Sequence, residues 1–526
     1  MPAAPASPAQ SLHMPARRRI PVLSVALVVL ASLVAAAILF ARSRWWPFSE
    51  EQVLKHLREA SDSQVQVRNF QKTYFPAPGC ILQGLTFLHS TNEAEPTVSI
   101  EKLKVEGSYL GMISQRISRI VAEGIVVSVP TFGSGENTRD SRSKINADDI
   151  MTNIALLEFA TQEPDKIVRF DVHDAQLRNV GRSAAFSYRV KFHNPEPPGE
   201  VTAEGKFGPW IRDDAGETQV SGEYRFENAD LSVYGGIAGS LASTGKFSGK
   251  LSHIDISGTA DVPDFEVVMG HHPAPLITSF SAYVDATRGT AFLERVDADL
   301  RRTRILAQGS IATSANGKGK TVLIDAESTN ARIEDLLGLF VASSRPPMSG
   351  TAAIHAHIEI PPGEEFLKNF KMSGTFGVGP GKFTDPSTQK DVDQLSAGAR
   401  GENKKEKEDP ETALANLEGR FDVANATAEF PDLFFQVPGA RVRLHGAYNL
   451  LDYKIDLRGQ MSMDSKISNA ATGAKALLLK VMDPVFKKTK TGEIVPVRIS
   501  GTFEHPRFGL DLNDKKHTSK DSFSVH

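Results

Sequence analysis

Residues 441–458 read RVRLHGAYNLLDYKIDLR, and they carry the pattern that decides the fold. Apolar side chains alternate with charged or polar ones through residues 441–445 and again through residues 453–458. Successive side chains of a β-strand point to opposite faces, so this alternation predicts two half-buried strands, each with one apolar and one charged face. The residues expected on the apolar face are Val442, Leu444, Tyr453, Ile455 and Leu457.

The same two-residue period recurs in residues 102–106 and 223–227, and Gly, Asn and Asp clusters separate such runs. This spacing is typical of antiparallel strands joined by turns, and Asn316-Gly317 predicts a hairpin turn between Ile311 and Val322. The sequence therefore predicts a mainly β protein. Periodicity leaves two architectures open: a sheet that curls into an apolar groove, or a sandwich whose apolar faces close on each other.

Several predicted strands share a Gly-x-aromatic start. The glycines concerned are Gly222, Gly245, Gly374, Gly419 and Gly501. Glycine at these points has two interpretations: it permits a kink or bulge that curves the sheet, or it ends the preceding turn.

Helical spacing of apolar residues is confined to four segments, Glu50–Ser61, 147–161, 331–341 and 465–487. We expect these helices to cover the sheet or to plug its ends, and binding of a partner protein is the alternative.

Residues 20–41 form an uncharged apolar run of 22 residues. At 1.5 Å per residue a helix of this length reaches about 33 Å, which is enough to cross a bilayer core. A cleaved signal peptide is the alternative, but its apolar core is usually only about 7–15 residues long. The sequence therefore predicts an uncleaved single-pass anchor with its N-terminus inside. The flanking residues that suit the membrane interface are Arg17, Arg18 and Arg19 before the run and Trp45 and Trp46 after it.

The composition excludes several classes of protein. The 526 residues include 60 Lys+Arg and 63 Asp+Glu, for a net charge of −3, whereas a nucleic-acid-binding protein normally has a basic excess. A hydrophobic share of 40% with 23% charged residues excludes wholesale disorder. The single cysteine, Cys80, cannot form an intramolecular disulfide, and we expect its thiol to be either buried or incidental.

Motifs that would indicate an enzyme are incomplete. Gly319-Lys320-Thr321 ends like a phosphate-binding loop, but a strand rather than a helix is expected to follow. Ser141-x-x-Lys144 and Lys490-Thr491-Gly492 resemble two elements of penicillin-recognising serine enzymes, while the third, Ser-Asp-Asn, is absent from the sequence. We therefore predict that the protein is not an enzyme and that it has no catalytic residues.

Two histidine-containing segments were considered as metal sites. His355, His357 and Glu359 are expected to share one strand face, but no further ligand cluster is apparent in the sequence. A solvated polar face is the favoured interpretation, and His271-His272 is expected in a loop. The sequence predicts no metal and no cofactor.

Three regions carry a likeness to known proteins. Residues 73–80 (TYFPAPGC) follow the predicted anchor, with residues 85–87 and 100–103 after them. Residues 296–309 and 330–337 read as a strand pair that leads into a short helix. Residues 444–450, 455–459 and 495–508 form the third region, which ends in a Pro-apolar-x-Ile-x-Gly-Thr pattern. Together, across about residues 20–512, these regions resemble the AsmA-like family of membrane-anchored envelope proteins.

The resemblance implies a fold and a function. The expected fold is an elongated, curved antiparallel β-sheet that forms a groove, with a few short covering helices and an N-terminal transmembrane helix. The expected location is the bacterial inner membrane, with the bulk of the chain in the periplasm. The expected function is shielding of phospholipid acyl chains during transport towards the outer membrane. The alternative is an envelope scaffold or outer-membrane protein assembly factor whose partners are envelope proteins; no nucleic acid is expected.

The expected domain organisation has six parts. They are a disordered cytoplasmic tail (1–19), the transmembrane helix (20–41), an N-terminal AsmA-like β-domain (42–135), a central β-rich domain (143–345), a C-terminal AsmA-like β-domain (346–512) and a disordered tail (513–526). A linker is expected at residues 133–142 because that stretch is polar and rich in Gly and Ser.

Overall fold

The structure is a computed structural model. It describes residues 31–36, 46–61, 63–88, 96–109, 117–129, 147–160, 167–181, 185–209, 211, 214–234, 236–314, 319–341, 345–362, 366–384, 386, 416–437, 440–463, 494–502 and 506–510.

Strands dominate the described residues. In chain order they are β1 Gln64–Gln66, β2 Asn69–Thr73, β3 Gly79–Leu88, β4 Pro96–Gly107, β5 Ile117–Val129, β6 Ala147–Thr152, β7 Ala155–Ala160, β8 Ile167–Val180, β9 Phe186–Pro195, β10 Pro198–Phe207, β11 Gln219–Asp230, β12 Ile237–Ala238, β13 Ser240–Lys250, β14 His253–Val267, β15 Ala274–Asp285, β16 Thr290–Leu300, β17 Thr303–Thr313, β18 Lys320–Arg332, β19 Met348–Ile360, β20 Lys371–Phe383, β21 Asn416–Ala424, β22 Thr427–Val437, β23 Ala440–Asn449, β24 Lys454–Met463, β25 Ile494–Thr502 and β26 Pro506–Leu510. The helices are α1 Glu50–Ser61, α2 Ile333–Phe340 and α3 Phe366–Asn369.

One long sheet joins 25 of these strands, and the prediction of a mainly β protein is confirmed. Nearly every strand pairs antiparallel with the next strand in sequence, from β3 to β26. The exceptions are that β5 pairs in parallel with β6 and β7, and that the two-residue β12 pairs only with β14. The order of strands in space therefore follows the order in the chain.

The 25 strands fill 23 positions across the sheet, because β1 and β2 lie side by side along β3, and β6 and β7 lie side by side along β5. At about 4.8 Å between neighbouring strands, the path across the sheet is about 105 Å long.

Four sequence predictions are confirmed. Helix α1 has the predicted bounds, and α2 lies within the predicted segment 331–341, whose first two residues instead complete β18. Strands β17 and β18 form the predicted hairpin, with Thr313 opposite Lys320. Cys80 is buried, and burial raises the pKa of its thiol to about 12.

The prediction of a helix at residues 147–161 is wrong. This segment contains β6 and β7, which both pair with β5 on one side and with β8 on the other. Between them, Asn153 and Ile154 interrupt the extended backbone, and Ile154 is exposed. The break shifts the phase of the two-residue alternation, so that apolar residues of two short strands fall at an apparent helical spacing.

Other predictions lie outside the described residues. These are both terminal tails, the linker at 133–142, the helix at 465–487, and the motif residues Ser141, Lys144 and 490–492. Of the predicted span at 20–41 only residues 31–36 are described, and they are helical. Within the described part of the chain, no helix has the length and apolar character needed to cross a membrane.

The core is divided into local clusters along the sheet. The N-terminal cluster packs α1 side chains Val53, Leu54 and Leu57 against β1–β5, around fully buried Leu82 and Leu85. Further clusters follow at β14–β17 with α2, at β18–β21, at β19–β23 and at β22–β25. Helix α2 thus covers part of the sheet, as predicted for the helical segments.

The Gly-x-aromatic segments lie inside strands and are paired reciprocally. Gly222 of β11 is opposite Phe247 of β13, and Tyr224 is opposite Gly245. Strands β20 and β21 repeat the arrangement, with Gly374 opposite Phe421 and Phe376 opposite Gly419. None of these four glycines ends a turn or lies at a bulge of these two strand pairs. Each leaves room for the aromatic side chain of the adjacent strand.

Candidate functional site

One face of the sheet is apolar and free of charged side chains over many strands, and we call it the apolar face. The register places Val190, Ala203, Tyr224, Gly245 and Gly258 in one row across β9, β10, β11, β13 and β14. From β9 to β24, the described strand positions in phase with this row contain no Asp, Glu, Arg or His, and their one charged residue is Lys320, the first residue of β18. Such a face binds apolar groups without having to desolvate a charge.

The apolar face is least covered on β9–β13, which belong to the central domain predicted from the sequence (143–345), and we call this part the central face. None of the hydrophobic clusters of buried residues in the described chain includes a residue of these strands. Its large side chains are half-buried, which leaves apolar surface accessible. The aromatic residues of this central face are Phe186, Tyr188, Phe192, Phe207, Tyr224, Phe226 and Phe247.

The polar atoms of the central face bond to one another or to the backbone. The Tyr224 hydroxyl and Ser243 Oγ lie 3.1 Å apart, and Ser243 Oγ donates to the Thr259 carbonyl oxygen at 2.9 Å. Burial raises the pKa of the Tyr188 phenol to about 12, so this group stays neutral at physiological pH. The central face is therefore uncharged as well as apolar.

The opposite face carries the charges, arranged as cross-strand ion pairs. Arg189 and Glu204 are 2.6 Å apart, and Lys246 and Glu223 are 2.9 Å apart. Hydrogen bonds from Arg295 and Arg304 lower the pKa of Asp297 to about 2. Exposed pairs of this kind contribute little stability individually, but opposite charges across a strand pair favour the observed register. The sheet is thus amphipathic along its length.

Four of the five residues predicted to line a groove lie on the apolar face. Val442 and Leu444 are buried, at 3% and 1% exposure, in a cluster with Ala440 and Met461. Ile455 and Leu457 are half-buried on the adjacent strand.

The fifth, Tyr453, is placed differently. It lies in the turn before β24 with a φ of 58° and is 40% exposed. Strand β24 begins only at Lys454, after the turn that contains Tyr453. The prediction that Tyr453 belongs to the strand is therefore wrong.

The central face was missed by the sequence analysis, although its signal is present. In residues 186–192, FSYRVKF, the apolar residues alternate with serine, arginine and lysine as clearly as in residues 441–445. Sequence alternation identifies such a strand but does not show whether other parts of the chain cover its apolar side.

The histidine segments contact neighbouring charged side chains on the strand surface. His357 Nδ1 lies 2.7 Å from Asp325 Oδ1, and Glu359 pairs with Lys371 at 3.2 Å. His271 lies 3.4 Å from Glu266. In the part of the chain that the structure describes, no group of three or more His, Cys, Asp or Glu side chains could hold a metal ion. Lys320 begins a strand, as expected for a segment that is not a phosphate loop.

The residues predicted at the membrane interface are only partly described. Arg17, Arg18, Arg19 and Trp45 lie outside the described residues. Trp46 is 4% exposed and belongs to the N-terminal cluster, where its ring centroid is 5.6 Å from that of Tyr74. Its ring therefore packs within the protein.

Comparison of the chain with protein-family models, with curated proteins and with solved structures found no match in any of the three.

Proposed function

We propose that this protein is a non-enzymatic, AsmA-like membrane-anchored protein of the bacterial periplasm that shields lipid acyl chains along its apolar face. In this proposal a single N-terminal span holds it in the inner membrane, and it contributes to phospholipid transport and outer-membrane homeostasis. The observation that supports the proposal best is the apolar face, which continues from β9 to β24 with Lys320 as its one charged position and is half-exposed on the central face.

The energetics of acyl-chain binding fit such a surface. Each methylene removed from water contributes about 0.8 kcal/mol, so a lipid tail gains affinity from length alone and needs no specific polar partner. Strands of 10–12 residues, such as β10 and β11, give the face a width of about 33–40 Å. This width exceeds the length of one acyl chain, which could lie along or across the strands.

Photocrosslinking in intact cells tests the proposal. A benzoylphenylalanine would replace Phe247 on the central face, and the matched control would replace the adjacent Lys246, which points to the charged face and pairs with Glu223. Adducts would be identified by mass spectrometry. Ile455 and Lys454 provide a second pair at the other end of the apolar face.

The expected result is a phospholipid adduct at Phe247 and none at Lys246. Protein adducts at both positions, without lipid at Phe247 or Ile455, would contradict lipid shielding and favour the alternative of an envelope scaffold or an outer-membrane protein assembly factor.

A pair of charge substitutions gives an independent readout. Val201 is half-buried on the apolar face of β10, and the next residue, Thr202, is exposed on the other face. Val201→Glu should reduce the lipid adduct at Phe247 because it places a carboxylate on the surface that the acyl chain contacts. Thr202→Glu should leave the adduct unchanged, and equal losses in both variants would show that the effect does not depend on the face.

A further inference from the structure

An exposed aromatic tip lies beside the first described residues that follow the predicted anchor. Residues 74–78 (YFPAP) connect β2 to β3, and we call them, together with Tyr109, the aromatic loop. Phe75 is 89% exposed, and Tyr74 and Tyr109 are 39% and 56% exposed. Full exposure of a phenylalanine between two partly exposed tyrosines leaves an apolar patch without charge at the tip.

The base of the aromatic loop is held firmly. Pro78 is fully buried, and its carbonyl oxygen accepts a hydrogen bond of 2.8 Å from the Gly107 amide. The Tyr109 hydroxyl donates to the carbonyl oxygen of Tyr74. The tip therefore projects from a fixed base, and its exposure is built into the fold.

The aromatic loop lies close to the end of the predicted anchor. The Trp46 ring, which packs 5.6 Å from the Tyr74 ring, belongs to a residue only five positions after Ala41, where the apolar run ends. Five residues span at most about 18 Å even when fully extended. If residues 20–41 cross the membrane, the aromatic loop must lie close to the membrane surface.

We propose that the aromatic loop inserts into the interface of the bilayer that holds the anchor. Phe75 would enter the boundary between head groups and acyl chains, and Tyr74 and Tyr109 would remain at head-group level, where tyrosine is enriched in membrane proteins. The contact holds the N-terminal end of the sheet against the bilayer. The inference rests on the membrane anchoring in the proposed function, and it adds a second point of contact that the anchor alone does not require.

A fluorescent label at position 75 tests the proposal in the full chain. The only native thiol, Cys80, is fully buried with a pKa of about 12, so maleimide reagents should label a Phe75→Cys variant selectively. The labelled protein would be reconstituted into vesicles of phosphatidylethanolamine and phosphatidylglycerol, with or without brominated acyl chains. The matched control is Leu451→Cys, which replaces a residue that is 59% exposed in the turn between β23 and β24, near the opposite end of the sheet.

We expect a nitrobenzoxadiazole label at position 75 to show blue-shifted emission and to lose most of its intensity in brominated vesicles, while the label at position 451 changes in neither respect. If the labels at positions 75 and 451 showed the same emission and the same degree of quenching, whether high or low, the proposal would be overturned. Flotation of the same samples separates the two hypotheses: protein that floats with the vesicles but is unquenched at position 75 retains the anchor and refutes the loop contact. Protein that does not float refutes both.

Discussion

At the scale of single residues, glycine and aromatic residues together determine how the strands pack on the apolar face. A methyl group added at Gly222 would lie 2.9 Å from the Tyr188 hydroxyl oxygen and 3.0 Å from Phe247 Cζ. At Gly245 it would lie 2.7 Å from Tyr224 Cε1. The distances of 2.9 and 2.7 Å are shorter than real Cβ contacts, so the aromatic side chains occupy the space that a Cβ would fill.

Gly245→Ala should therefore destabilise the sheet by about 1–3 kcal/mol, since the new methyl group would also lie 2.5 Å from the Ser257 carbonyl oxygen. Gly377→Ala is the matched control, because a methyl group there meets no atom within 4 Å. Thermal unfolding of the two full-length variants checks the prediction. A loss of stability at Gly377 equal to that at Gly245 would show that strand glycine acts through the backbone alone.

The sequence shows the Gly-x-aromatic pattern of each strand but not which strand segment lies opposite it. The Gly-x-aromatic repeat is visible in the printed chain, and its reciprocal pairing needs the register of two strands, which no single segment contains. The same limit applies to Tyr453. In the sequence, Tyr453 continues the alternation of β24. Its positive φ, which belongs to the turn, excludes it from the strand, and the sequence pattern does not show this.

At the scale of elements, α2 is fixed to the sheet by both its ends. The buried carboxylate of Asp335, near its start, accepts a hydrogen bond of 3.1 Å from the Thr303 hydroxyl. Leu339, near its end, packs with Ala274 and Leu300. Gly270 also touches this end, where an added methyl group would lie 2.1 Å from the Leu339 carbonyl oxygen. The helix therefore links β18 and β19 to β14, which are several positions apart in the sheet.

Truncation of Leu339 tests this link. Leu339→Ala should cost about 2–5 kcal/mol, because the side chain is only 8% exposed and its removal leaves a cavity between α2 and the sheet. The adjacent Phe340 is 39% exposed, so Phe340→Ala should cost much less. Hydrogen exchange of β14–β16 amides should be faster in the first variant. Unchanged exchange there would mean that α2 covers these strands without stabilising them.

Helices were predicted correctly where apolar spacing continued without a break. Residues 331–341 keep one phase through Ile333, Leu336 and Leu337, and a helix forms. Residues 147–161 contain two strands whose alternation changes phase around Asn153. Their apolar residues therefore have, on average, the spacing of a helix, although no helix forms. The pairing of β6 and β7 with both β5 and β8 is a long-range property, and it overrides the local spacing in this segment.

At the scale of the whole molecule, 23 strand positions in a single layer predict an elongated particle. A compact globule of 526 residues has a radius of gyration of about 24 Å and a diameter of about 60 Å. Electron micrographs of the full chain in detergent should instead show an elongated particle with a long dimension of up to about 105 Å. Compact particles of about 60 Å would contradict the single-layer sheet.

The mainly β class could be predicted because most strands show a two-residue alternation within their own sequence. The location of the least covered apolar surface could not, because it depends on which distant segments pack over each strand. Residues 186–192 and 441–445 have the same alternation, yet Val442 and Leu444 lie in a buried cluster and Tyr188 and Phe192 are half-exposed.

The agreement between chain order and spatial order has a consequence for biogenesis and evolution. A polypeptide that emerges with its N-terminus first would offer nearly every new strand a partner that is already in place, so the sheet can elongate as the chain emerges, without long loop closures. Two adjacent strands added or removed in the middle would change the length by about 10 Å and leave all other pairings intact. The length of such a molecule can thus be changed in steps by duplicating or deleting hairpins.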